Sequence, residues 1–165
     1  MRARLVAAAT AMIFSVSLNL GAQAKPDFSG KWVTDTPAAP AADAGGGRGG
    51  GRGAGFQPGF GPEFSVKQDA NTITITRGGQ ANPLVYKLDG SESKNSVSRA
   101  GQQQEQVSKA TWEGSKLVIA TEVNFQGNTA EQRRVLSLEG GTLVVEQTNP
   151  GRGGGGPIKV VYKKG

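Results

Sequence analysis

From Phe28 onward the apolar residues fall in short blocks in which every second position is apolar, the period of a half-buried β-strand. In FSGKWVTD (28–35), Phe28, Gly30, Trp32 and Thr34 share one face. In NTITITR (71–77), Ile73 and Ile75 oppose three threonines. Leu84, Tyr86 and Leu88 share a face of 83–88, as do Leu117, Ile119, Thr121 and Val123 of 116–124, and Ile158, Val160 and Tyr162 of 157–164. Strands are also predicted over 63–69, 93–100, 104–112, 130–138 and 142–147, the polar stretch 93–100 reading as an edge or short strand. Gly78-Gly79, Asp89-Gly90, Glu113-Gly114-Ser115, Gln126-Gly127-Asn128 and Gly140-Gly141 separate them, residues that accept the positive φ of tight hairpin turns. No segment after residue 24 carries an apolar helical period. About ten strands joined by short turns form an antiparallel up-and-down meander. Closing such a meander hides its two edges. The predicted fold class is therefore all-β, a closed or partly open barrel, with a β-sandwich as the alternative.

Three segments break the alternation. Residues 1–24 carry Arg2 and Arg4, then an apolar run from Leu5 to Leu20, then Ala22-Gln23-Ala24 before a polar exit. That is the three-part pattern of a cleavable signal peptide. Thr10, Ser15, Ser17 and Asn19 interrupt the run too often for it to span a bilayer well. The expectation is an exported protein, periplasmic or extracellular, with a single β domain over 25–165 and no membrane span after cleavage. Residues 36–62 are rich in Gly, Pro and Ala, and a second glycine-rich loop covers 149–156. Ordering glycine costs much backbone entropy, so 36–62 reads as a flexible insert. Phe56 and Phe60 are placed to tack its end onto the barrel.

Composition then removes classes of chemistry. The chain has no Cys and no His. Disulfides, thiolate nucleophiles, Cys/His zinc sites and any Ser-His-Asp triad are excluded. The 13 acidic residues show no telling pair, and Glu122 and Glu146 sit on faces opposite the apolar ones. No catalytic constellation, metal site or cofactor is expected. The formal charge of +6 reads as a lysine-rich solvated surface. Arg48 and Arg52 among glycines have the look of an Arg-Gly-Gly box, but two arginines in an exported chain make a flexible loop the better reading, and no nucleic-acid partner is expected.

Five side chains stand out. Arg133 and Arg134 are adjacent, so a strand puts one of them on the interior side, where it needs an anionic partner or a wet cavity. Trp32 is expected to plug one end of the barrel under a basic side chain. Trp112, beside a turn, reads first as a core or rim packing residue, with ligand stacking as the sharper alternative. Tyr162 shares the apolar face of the last predicted strand.

Gly30-Lys31-Trp32, the hairpin segments Lys116-Leu117-Val118 and Gly141-Thr142-Leu143-Val144-Val145-Glu146, and the ending Val160-Val161-Tyr162-Lys163-Lys164 resemble the calycin barrels: lipocalins, avidins and fatty-acid-binding proteins. The chain also resembles small secreted bacterial proteins with an FSG-x-W start, a likeness that implies no function. The calycin resemblance implies a barrel with Gly30 and Trp32 as structural residues. It also implies a non-enzymatic module whose partner is a small lipophilic molecule, an apolar or amphipathic ligand. Fatty-acid-binding proteins grip a carboxylate with an Arg-x-Tyr on the last strand, of which only Tyr162 is matched here. Arg134 lies on the strand bearing their other internal arginine, two residues out of step, which preserves its face. Arg134, Tyr162 and Trp112 are thus the expected ligand-binding residues. The rival expectation is an envelope structural or interaction protein whose basic, glycine-looped surface contacts acidic polymers or a protein partner.

Overall fold

The computed structural model describes residues 24–35, 59–99, 101–125, 127–149 and 156–165. The expected signal peptide (all but its last residue), most of the insert and most of the second glycine loop lie outside these. Among the described residues ten strands occur: β1 (Gly30–Thr34), β2 (Glu63–Gln68), β3 (Thr72–Arg77), β4 (Leu84–Lys87), β5 (Glu92–Arg99), β6 (Gln102–Glu113), β7 (Lys116–Phe125), β8 (Asn128–Glu139), β9 (Thr142–Thr148) and β10 (Ile158–Lys164). No helix occurs among the described residues. Every pairing is antiparallel, in the order β4-β3-β2-β1-β10-β9-β8-β7-β6-β5. The first and last strands pair, with Trp32 opposite Lys164 and Thr34 opposite Tyr162, so the meander curls into a nearly closed barrel.

The alternation read from the sequence is the one observed. Trp32, Phe64, Val66, Ile73, Ile75, Leu84, Tyr86, Leu117, Ile119, Leu136, Leu143, Val145, Val160 and Tyr162 are buried in one apolar cluster that occupies the barrel's inside. The long insert after β1 leaves no gap in the barrel. The structure places the interruption elsewhere. β1 and β2 pair without a break, and Thr34 N–H donates to the Pro62 carbonyl at 2.9 Å. The seam falls between β4 and β5, where side chains replace the missing ladder. Val85 N–H donates to Asn95 Oδ1 (2.7 Å), Asn95 Nδ2 donates back to the Val85 carbonyl (3.0 Å), and Lys87 N–H donates to Ser93 Oγ (2.9 Å). Asn95 and Ser93 are each only 5 % exposed. The polarity of β5 thus has a structural use: its inward side chains stitch the two edges together.

In a meander, successive connections alternate between ends. The short connections at 69–71, 88–91, 114–115 and 140–141 lie at one end, the hairpin end, together with the start of β1 and the end of β10. The connections 35–62, 78–83 and 149–157 leave from the opposite, loop end, so both glycine-rich segments start and finish there.

The hairpin end is sealed by the residues just before β1. Gly30 has φ of 140°, a conformation side-chain-bearing residues rarely adopt, and the chain before it passes under the barrel. Phe28 is fully buried and stacks on Trp112 with ring centroids 5.9 Å apart. Trp32 Nε1 donates to the Phe28 carbonyl at 2.8 Å, and Lys164 Nζ lies 5.7 Å from the Trp32 ring. The expected tryptophan plug under a basic side chain is therefore present. Gln68 Oε1 accepts from Phe28 N–H while its Nε2 donates to the Pro26 carbonyl, which fixes the strap in place.

Candidate ligand-binding site at the loop end

Parity along β8 turns Arg134 inward and Arg133 outward, as expected of adjacent strand residues. Arg133 forms an exposed ion pair with Glu113 at 2.7 Å. Arg134 points into the barrel toward the loop end, beside Gln147 across the β8–β9 ladder. Its Nε donates to Gln147 Oε1 at 3.0 Å, and its guanidinium carbon lies 5.4 Å from the Phe60 ring centroid. All the ion pairs among the described residues join exposed side chains, and none involves Arg134 or Arg77. A largely buried guanidinium without a carboxylate is costly. Burial pulls the Arg134 pKa below the ordinary guanidinium value, Arg77 pulls it further, and Tyr86 and Tyr162 oppose them.

Gln147 organises the polar groups here. Only 1 % exposed, it accepts from both Arg134 and the Gly59 N–H (3.0 Å) and donates to Asn149 Oδ1 (2.7 Å). Asn149 Oδ1 also accepts from Gln132 Nε2 at 2.6 Å. Tyr162, across β10, offers its hydroxyl oxygen to the Phe60 N–H at 3.2 Å, and its ring meets Phe64 edge-on at 4.8 Å. Two more inward polar groups stand unsatisfied: Tyr86 OH and Arg77 Nε are buried without a hydrogen-bond partner among the described residues. The site is thus a cationic cluster of two arginines, two phenols and an amide, with no carboxylate among the described residues.

The protein's only two tyrosines are these two. Burial raises the pKa of Tyr86, with Arg134 and Arg77 opposing, and burial also raises that of Tyr162 against the Phe60 N–H and Arg134. In the unfolded chain both titrate near the free value of about 10. The folded state therefore keeps its phenolic protons longer. Their contribution to stability is complete below that pH and declines as pH rises above it. Spectrophotometric titration is expected to show phenolate absorbance later than the free value of about 10, with a cooperative rise on alkaline unfolding. A phenolate signal appearing at the free value in folded protein would show that these hydroxyls are solvated.

The structure brings two of the three expected ligand residues, Arg134 and Tyr162, to one place and separates the third. Trp112 pairs with Leu117 beside the 114–115 turn, stacks on Phe28 and lies 5.5 Å from Lys25 Nζ, so it belongs to the seal of the hairpin end. Strand parity gives the face and not the depth, so the sequence alone could not separate the three. Gln147, Arg77 and Tyr86 were not among the expected site residues. Each was legible as a polar member of an otherwise apolar inward set: Leu143/Val145/Gln147, Ile73/Ile75/Arg77 and Leu84/Tyr86/Leu88. Phe60 does tack the insert's end onto the barrel; Phe56 lies outside the described residues.

The interior is filled by side chains and is not hollow. Phe28, Ile73, Ile75, Tyr86, Ala110, Leu117, Ile119, Leu136, Leu143, Val145 and Tyr162 are each at 0 % exposure, so no water-sized space touches them. Open surface depressions lie at the hairpin rim around Asn71 and Leu88 and on the outer face over Ser65 and Thr76. Phe60 is the reason at the loop end: it is 2 % exposed and packs on Phe64 with centroids 5.2 Å apart.

These features define a nearly closed, ten-stranded antiparallel β-barrel with a polar, cationic mouth. Among solved structures it is similar to the crystal structure of a point mutant of the fluorescent protein UnaG, at 24 % identity, over 62 % of this chain and 70 % of that one, with a TM-score of 0.44. No protein-family model and no curated protein matches the chain.

Proposed function

We propose that the protein is an exported, non-enzymatic binding module for a small amphipathic ligand, held at the loop end of the barrel with its anionic end on Arg134 and Tyr162. The observation that carries this reading is the partly buried Arg134 guanidinium, which meets a neutral glutamine and an aromatic ring but no carboxylate among the described residues. A planar fork of donors is suited to a carboxylate, and supplying one from a ligand satisfies a buried charge. Phe60 packs on Phe64, so the ligand's apolar part reaches the Phe64 and Tyr162 rings only where Phe60 gives way. Export rests on the pattern of residues 1–24.

Decanoate is a suitable probe. Arg134→Met is expected to weaken its binding by about 1.5–3 kcal/mol, roughly 10- to 150-fold, through loss of charged hydrogen bonds. The same change is expected to leave the fold as stable or about 1 kcal/mol more so, because it exchanges a buried charge for an apolar side chain. Calorimetric titration and a thermal melt of the two proteins read both effects. Equal decanoate affinity in the two proteins would refute the assignment.

A further inference from the structure

We propose that the ligand at this site is a small aromatic carboxylate, and that Phe60, together with the N–H groups of Gly59 and Phe60, is the chain's own stand-in for it. The inference rests on the binding reading above and names the ligand class. Among the described residues, Phe60 is the one ring brought into the barrel from the β1–β2 connection, and what it touches is the polar site itself. Its ring lies 5.4 Å from the Arg134 guanidinium and 5.2 Å from Phe64. The adjoining N–H groups meet Gln147 Oε1 and the Tyr162 hydroxyl. A benzene ring taking the place of Phe60 keeps the Phe64 and Arg134 contacts. A carboxylate on it reaches the Arg134 guanidinium, whose charge Tyr86 and Arg77 are near enough to influence; the Tyr86 hydroxyl and Arg77 Nε are both without partners among the described residues.

The segment is built to leave without unravelling a strand. Gly59 and Gly61 flank Phe60 with φ of 68° and 97°, and β2 begins only at Glu63. Neither hydrogen bond made by the Gly59 and Phe60 N–H groups belongs to a β ladder. Ligand and Phe60 compete for one space, so the apparent affinity is the intrinsic affinity reduced by the fraction of molecules in which Phe60 is unseated.

The test uses phenylacetate, with decanoate as a comparison, on wild type, Gly59→Ala and Phe60→Ala. A Cβ at Gly59 overlaps the Tyr162 hydroxyl and sits at a φ that alanine disfavours, so Gly59→Ala unseats the plug while every side chain of the site is retained. Phe60→Ala removes the ring itself. Both variants are expected to bind phenylacetate at least about 10-fold more tightly than wild type. Saturating phenylacetate is expected to strip hydrogen-exchange protection from the Phe60 amide of the wild type. That readout needs no variant, so a failure of either to fold leaves the question decidable. Equal phenylacetate affinity in all three proteins with the Phe60 amide still protected would overturn the stand-in. Decanoate binding that depends on Arg134, without phenylacetate binding, would overturn the ligand class and leave the proposed function intact. Binding of neither compound to any of the proteins would bring down both.

Discussion

Trp32→Ala is expected to lower the stability of the fold by about 3–5 kcal/mol, the cost of emptying a large aromatic site in a packed core. For a domain of this size that is a fall of roughly 10–20 °C in melting temperature. The residue is 1 % exposed and is tied at both its face and its edge. Its Nε1 holds the Phe28 carbonyl at 2.8 Å, and Lys164 lies against its ring. Losing the ring loosens the strap at residues 26–29 as well as the core beneath it. The two tryptophans provide an internal control. Trp112 Nε1 is buried with no partner among the described residues, so Trp112→Phe removes an unsatisfied donor and is expected to change stability by less than about 1 kcal/mol. Trp32→Phe leaves the Phe28 carbonyl without its donor and is expected to cost about 1–3 kcal/mol. Thermal melts of the two phenylalanine variants side by side check the point. Equal losses would mean that the Trp32–Phe28 bond contributes nothing.

Asn95→Ala is expected to open the barrel seam. One side chain there replaces a ladder rung, accepting from and donating to the same residue, Val85. Its removal leaves both backbone groups of Val85 to water, at a cost of about 1–3 kcal/mol. The value belongs at the lower half of that range because Val85 is itself 40 % exposed and water can reach it. The more telling effect is local. Hydrogen exchange of the Val85 and Lys87 amides is expected to accelerate by about 10-fold or more, while amides of β7 and β8, inside an unbroken ladder, keep their protection. Adding Ser93→Ala releases Lys87 N–H as well and extends the opening by one rung. Uniform loss of protection across all strands would instead mean that the seam is no weaker than the rest of the barrel.

Both changes concern residues whose importance was unequally visible in the sequence. Trp32 was marked by its place in an alternating block next to a glycine. Asn95 sits in ESKNSVSR, a stretch whose polarity reads only as an edge. Its use depends on β4 and β5, joined by a short turn, meeting at the junction where the ladder is missing. In the same way Gln147 and Arg77 are marked by parity alone, as polar residues on apolar faces, yet nothing local says that Gln147 reaches Gly59 or that Phe60 fills the space below Arg134.

The chain's alternation alone determined the ten strands, their inward faces, the antiparallel meander and that one of Arg133 and Arg134 turns inward. These are decided by a period of two and by turn residues that act within a few positions. The tertiary structure decided where the ring closes, which end Trp112 occupies, and that the interior is filled instead of hollow. Those outcomes depend on how far each strand is displaced along its neighbours and on contacts such as Phe60 with Tyr162, 102 positions apart, which carry no local signature.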